Sequence, residues 1–209
     1  MLICFCLTGE LSTTLCKAAA RILDLSSNSF SGAIPHCMGD LAKNLVILDL
    51  HENQIQGMIP SIFTKSCQLT TIKMNNNHME GSIPLSLANC KLLQILDLGN
   101  NKISDTFPPW LVTLPKLQVL VLRSNRLHGM LNVSNMKDPF PKLRVIDLSH
   151  NQFEGNVANN FLDNFKVMAD SDPFIGVNTT LVEGKYYEAS VNLIVKGVEL
   201  EVKKILNIY

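Results

Sequence analysis

Apolar residues along this chain recur in a single phrase. Residues 22–28 read Ile-Leu-Asp-Leu-Ser-Ser-Asn, and the alternation returns as Leu48 and Leu50 before Asn53, Ile72 and Met74 before Asn77, and Leu96 and Leu98 before Asn101. Leu120 and Leu122 before Asn125, and Ile146 and Leu148 before Asn151, complete the series, so the Asn comes back every 24 to 26 residues. Apolar residues two apart point to one side of a strand. Each phrase therefore predicts a short strand whose Leu or Ile pair faces a core while the residue between them faces solvent. The Asn stands where the chain leaves the strand and bends inward. Its amide carries two donors and an acceptor for main-chain groups that the turn would leave unsatisfied. Asn28, Asn53, Asn77, Asn101, Asn125 and Asn151 are thus expected to form a structural ladder rather than a row of binding groups.

The rest of each unit is equally regular. An apolar residue follows two positions after the Asn (Phe30, Ile55, Met79, Ile103, Leu127, Phe153), and usually a Gly four positions after it (Gly32, Gly57, Gly81, Gly129, Gly155). Three units continue as Gly-x-Ile-Pro, ending at Pro35, Pro60 and Pro84. Glycine opens backbone conformations closed to other residues and proline fixes φ while removing a donor, a pairing suited to a tight bend along the edge of a solenoid. The phrase LxxLxLxxN is the leucine-rich-repeat signature, and its LxGxIP extension resembles the plant-specific class of these repeats. The expected fold is an α/β-type repeat solenoid, a right-handed superhelix with a parallel concave β-sheet, in which each coil packs only on its neighbours.

The period fails after residue 155. A polar stretch, Asn160–Lys166, leads into the loop signal Asp170-Ser171-Asp172-Pro173. Val191, Leu193 and Val195 then alternate, Lys196-Gly197 interrupts, and Val198, Leu200 and Val202 resume the spacing, which predicts a β-hairpin. The organisation read from these shifts is leucine-rich repeats over 1–155 (one partial and six complete), a non-repeat island over 156–204, and the start of a further repeat over 205–209.

Composition narrows the function. The chain has 209 residues, 46% hydrophobic and 17% charged, with a formal net charge of +0, which is globular rather than disordered composition. Without a basic run, nucleic-acid binding is not expected. The apolar start, Met1–Leu7, is too short and lacks the flanks of a secretory signal, and no stretch reaches the length of a membrane span. The six cysteines lack zinc-type pairing. Cys67 and Cys90 fall at nearly equivalent places on adjacent coils, close enough for a disulfide to be conceivable, but small buried thiols are the favoured reading.

Stacked strands turn each repeat position into a row. Four positions before the Asn stand Asp24, Asp49, Lys73, Asp97, Val121 and Asp147; two before it stand Ser26, His51, Asn75, Gly99, Arg123 and Ser149. Varied polar rows on a regular scaffold suit recognition of a peptide, protein or glycan, and Asp49, His51, Lys73, Asn75, Asp97, Arg123 and Asp147 are the candidate contacts. Arg123 is the favoured anchor because its planar fork makes bidentate contacts. The acids are expected on an open sheet with nothing to exclude water, so neither acid/base chemistry nor a metal site is expected there. The five His residues fall in separate coils, and no nucleophile elbow, phosphate loop or HExxH occurs. No enzyme, metal or cofactor is indicated. Trp110 is placed on the convex side, and Asn132 and Asn178 head glycosylation sequons that matter only in the secretory route.

Three segments carry a narrower resemblance: Leu120–Asn125, Pro141–Asn151, and Tyr186-Tyr187 followed by Lys196-Gly197-Val198-Glu199. They resemble the membrane-proximal ectodomain of plant receptor-like proteins of the disease-resistance type, whose island carries a Tyr, eight residues, then Lys-Gly, as Tyr187 and Lys196-Gly197 do here. The resemblance implies immune or developmental ligand recognition at the extracellular face of the plasma membrane. It further implies a receptor-like kinase adaptor and a co-receptor kinase as partners, with Tyr187, Lys196 and Gly197 on the co-receptor surface. Relative to that family the chain lacks a signal peptide, a Cys-bearing cap, many repeats and the membrane span, so it reads as an internal piece of a receptor. A secreted inhibitor resembling the polygalacturonase-inhibiting repeat proteins, and a truncated non-signalling remnant, are the alternatives.

Overall fold

A computed structural model describes residues 7–131, 140–155, 186–195 and 198–207, with side chains in the first two ranges. The chain divides into two compact units, Met1–Ala169 and Asp170–Tyr209. The boundary expected at 155/156 lies outside the described residues, as does most of the expected island.

Among the described residues of the first unit lie thirteen short strands: β1 (Thr8–Glu10), β2 (Ile22–Asp24), β3 (Ser29–Ser31), β4 (Ile47–Asp49), β5 (Gln56–Met58), β6 (Thr71–Lys73), β7 (His78–Gly81), β8 (Ile95–Asp97), β9 (Lys102–Ile103), β10 (Val119–Val121), β11 (His128–Met130), β12 (Val145–Asp147) and β13 (Gln152–Glu154). The strands read from the repeat phrase, β2, β4, β6, β8, β10 and β12, form one six-stranded sheet in sequence order. Every pair is parallel and in repeat register, so that Leu48 stands between Leu23 and Ile72, and Leu96 between Ile72 and Leu120. This is the concave sheet of a leucine-rich-repeat solenoid.

The remaining strands lie just beyond each Asn and form three short parallel sheets, β1–β3, β5–β7–β9 and β11–β13. Sequence reading expected only a bend there. The bend exists, with left-handed φ of +73° to +87° at Gly32, Gly57, Gly81, Gly129 and Gly155, but it is flanked by enough extended backbone to pair from coil to coil.

Between the sheets the apolar columns close the core. Leu45, Leu69, Leu93, Leu117 and Leu143 are all fully buried, as are Ile55, Met79, Ile103 and Leu127 after the Asn. Leu23 and Leu25 at one end and Ile146 and Leu148 at the other are only partly buried, because each has a flanking coil on one side among the described residues. Trp110 packs partly buried on the core from the 3-10 turn Pro109–Thr113, as expected of a convex residue.

The cysteine expectation is overturned. Cys67–Cys90 and Cys16–Cys37 are disulfides, with Cα–Cα distances of 5.0 and 5.7 Å, each tying one coil to the next. Cys67 and Cys90 are buried, as read, but coil stacking brings their equivalent positions into bonding range, so the disulfide that their spacing allowed is formed in place of two thiols.

The second unit contains the expected hairpin, β14 (Tyr186–Val195) antiparallel to β15 (Val198–Asn207). Ile205, Leu206 and Asn207 were expected to lead into a further repeat and are instead the end of β15, facing Glu188, Tyr187 and Tyr186.

Candidate concave recognition face

The Asn ladder fixes the face. Asn77 Nδ2 donates to the carbonyls of Leu50, Met74 and Asn75, while its Oδ1 accepts from Ile55 N at 3.0 Å. Asn53, Asn101, Asn125 and Asn151 repeat the pattern one coil apart, and Asn28 donates within its own turn while its Oδ1 accepts from Leu7 N at 2.9 Å. From Asn53 onward each amide therefore joins its own turn to the preceding coil, through a carbonyl in the strand and an N–H beyond it.

The residue before each Asn shares one backbone conformation that the repeat phrase alone does not announce. Ser27, Glu52, Asn76, Asn100, Ser124 and His150 all adopt left-handed φ between +52° and +56°. Short polar side chains tolerate this region best, and Ser, Asn or His fills five of the six positions. That bias was the available signal.

The acids of the concave rows are not where an open sheet would leave them. Asp49, Asp97 and Asp147 are buried at 3%, 5% and 4% exposure. In each case Oδ1 accepts the backbone N–H two residues on, at His51, Gly99 and Ser149. Asp24 does the same for Ser26 yet stays exposed. The expectation that these acids stand open to water is corrected. An acceptor is needed where the strand ends before the left-handed residue, and a carboxylate supplies it by folding down onto its own turn.

What the face offers outward is the remaining set. His51, Lys73, Asn75 and Arg123 are partly exposed, and His51 Nδ1 lies 2.6 Å from Asp49 Oδ1. Lys73 Nζ lies 3.5 Å from Asp49 Oδ2. Gly99, between Asn75 and Arg123 in its row, is buried, and a Cβ there would stand 3.3 Å from Arg123 Cγ and Val121 Cγ1. The Arg123 stem thus lies across the glycine. Ile95, Val119 and Val145 are buried along the ladder in the lateral packing expected of their β-branched shape.

The candidates of the second unit are less fully placed. Tyr187 lies in β14, while Lys196, Gly197, Asn132 and Asn178 lie outside the described residues. Among the described residues no group of three or more His, Cys, Asp or Glu is arranged to hold a metal, and no helix is long and apolar enough to cross a membrane. An open groove of about 480 Å³ lined by Ala19, Arg21, Lys43, Asn44 and Gln68 does not include the concave candidates.

Comparison with known proteins agrees with this geometry. Models described as leucine rich repeat match residues 20–41, 43–103, 84–127 and 142–164, more than half of the chain. Receptor-like protein 6 of Arabidopsis thaliana is 50% identical over 204 residues, covering 97% of this chain and 20% of that protein. Receptor-like protein 32 of the same plant is 38% identical over 211 residues, covering 97% and 23%. The chain thus spans only about a fifth to a quarter of these curated relatives. Among solved structures, the Arabidopsis receptor kinase HAESA in complex with the peptide hormone IDA and the co-receptor SERK1 superimposes with a TM-score of 0.67 at 32% identity, over 78% of this chain and 26% of that one. The chain belongs to the leucine-rich-repeat family, in the class of the plant receptor-like proteins.

Proposed function

We propose that this chain is part of the ligand-recognition ectodomain of a plant cell-surface receptor-like protein and binds a peptide or protein along its concave sheet without catalysis. The observation that carries the reading is the division of labour on that face. The Asn ladder and the sunken Asp49, Asp97 and Asp147 serve the scaffold, and what remains outward is a varied set, His51, Lys73, Asn75 and Arg123, on a rigid parallel sheet. Rigid elements carrying diverse polar groups suit recognition, since little ordering entropy is lost on binding. A superimposable ectodomain whose described complex holds a peptide hormone and a co-receptor supports the same use.

Two disulfides between coils support passage through an oxidising compartment, in keeping with an extracellular face at the plasma membrane. On family resemblance, the partners include a receptor-like kinase adaptor and a co-receptor kinase, with Tyr187, Lys196 and Gly197 at the docking surface, and the signal is immune or developmental. Asn132 and Asn178 would then carry glycans.

The test is a full-length receptor of this class carrying this segment. Exchanging Arg123 and Asn75 together for Ala should abolish ligand-dependent signalling with surface abundance unchanged; undiminished signalling would overturn the concave assignment. Exchanging Lys196-Gly197 for Ala-Ala should reduce co-receptor pull-down, and undiminished association would remove the docking role.

A further inference from the structure

The charges of the first unit are sorted by face. The segments that lead from each bend into the next concave strand are residues 12–21, 36–46, 61–70, 85–94, 109–118 and 140–144, and they hold eight Lys or Arg and a single carboxylate, Asp40. All eight cations are exposed, and Asp40 is taken up by Lys43 at 2.7 Å. The rest of the first unit carries, among its described residues, nine carboxylates and four Lys or Arg. A chain of zero formal net charge is therefore polarised across its coils. The sequence hides this, because each coil supplies only one or two of the cations and no basic run forms along the chain.

Backbone stacking gathers them. Val46 N donates to Arg21 O, and the relay continues at Thr70, Gln94, Gln118 and Arg144, each N–H meeting the carbonyl one coil back at 2.7 or 2.8 Å. Lys43, Lys91, Lys116 and Lys142 stand two or three residues ahead of that column, so successive coils carry them along one flank. With coils roughly 4.8 Å apart, the row from Lys43 to Lys142 runs for about 20 Å, the length of about six residues of extended peptide. At the start of the flank lies the open groove of about 480 Å³, where Arg21 and Lys43 stand together with the amides of Asn44 and Gln68.

We propose that this flank is a docking surface for an extended, acidic peptide segment of a partner protein, with the segment's carboxylates along the lysine row and its main chain paired in the groove at Arg21 and Lys43. An amide side chain offers both a donor and an acceptor, the pairing that a peptide main chain needs. Of the large apolar side chains exposed among the described residues, only Leu85 lies in these segments. A folded partner would need a desolvated apolar anchor. A lysine row offers instead point charges on flexible stems, which suit a charged segment with no fixed shape of its own. The flank lies off the concave sheet, so the proposal stands or falls independently of the recognition role assigned to that face.

The test uses the whole chain and a fluorescent (Gly-Glu)5 peptide, with (Gly-Gln)5 as the uncharged control and binding read by anisotropy. (Gly-Glu)5 should bind and (Gly-Gln)5 should not. Affinity should fall at least about tenfold between about 0.1 M and about 1 M salt, as the Debye length shrinks from about 10 Å to about 3 Å. Lys91→Glu with Lys116→Glu should weaken binding at least about tenfold, given the roughly fivefold carried by one ion pair at about 4 Å in water. Lys102→Glu with Arg126→Glu makes the same charge change off the flank and should alter binding less than about twofold, because distant exposed charges are screened. Asn44→Ala with Gln68→Ala should weaken binding without changing its salt dependence. Equal losses from the two charge-reversed pairs would reduce the effect to net charge and overturn the flank. Salt-insensitive binding, equal binding of (Gly-Gln)5, or no binding of (Gly-Glu)5 would overturn it as well. Capture of a linear polyuronate without binding of (Gly-Glu)5 would overturn the peptide assignment. The peptide, salt and polyuronate arms need no variant, so the proposal stays falsifiable if a charge-reversed chain fails to fold.

Discussion

Met58 lies across the backbone of Gly81. A Cβ built on that glycine would stand 2.7 Å from Met58 Cγ and 3.0 Å from its Sδ, and the glycine already holds φ at +75°. The same relation recurs more loosely along the outer edge, with Ala33 over Gly57, Thr106 over Gly129 and Met130 over Gly155. The residue one place beyond Gly32, Gly57, Asp105 and Gly129 covers the glycine of the following coil. This explains why Met58 sits on the outer edge although it is 66% exposed.

Gly81→Ala should therefore destabilise the chain by about 2–4 kcal/mol, combining the left-handed cost with overpacking. Gly155→Ala meets no atom closer than 3.8 Å and should cost only the conformational part, about 1–2 kcal/mol. Adding Met58→Ala to Gly81→Ala should recover the difference. A double-mutant cycle by urea unfolding checks this, and strict additivity would show that the contact carries no energy.

Asn77→Ala should cost about 2–3 kcal/mol, mainly because it strips the acceptor from the buried Ile55 N–H. Leu50 O retains the Asn53 donor, so the carbonyl side is partly spared. Asn77→Asp should be similarly harmful, since a carboxylate accepts from Ile55 N but cannot donate to Leu50, Met74 or Asn75. Chemical denaturation midpoints measure both.

Ser124 is held at φ +52°. Ser124→Gly should stabilise by up to about 1 kcal/mol and Ser124→Val should destabilise by about 1–2 kcal/mol, because a β-branched residue fits the left-handed region worst. The opposite order of melting temperatures would refute the strain account.

Reducing Cys67–Cys90, or replacing both with Ala, should lower stability by about 3 kcal/mol through the freed loop entropy of the 23-residue separation. The concave sheet should persist, because Leu69 and Leu93 beside the bridge are fully buried. Far-UV circular dichroism with and without reductant, followed by thermal melting, separates the two effects.

The solenoid, its strands and its Asn ladder were legible in the sequence because each is a local matter repeated. A period-2 apolar pair closed by a turn residue specifies its own strand, and repetition specifies the stacking. The hairpin at Tyr186–Asn207 was legible for the same reason. The contents of the recognition face were less so. His51, Lys73, Asn75 and Arg123 lie partly exposed where the rows placed them, but Asp49, Asp97 and Asp147 do not.

By itself, then, the sequence determined the repeat, the sheet order and the chemical palette of the concave rows, since these depend on residues near one another along the chain. Only the tertiary structure decided which polar groups the scaffold consumes, which cysteines bond, and which methionine covers which glycine. Those outcomes turn on atoms 21 to 25 residues apart brought together by coil stacking, and on turns whose unmet backbone groups draw a carboxylate inward and leave its neighbours partly exposed.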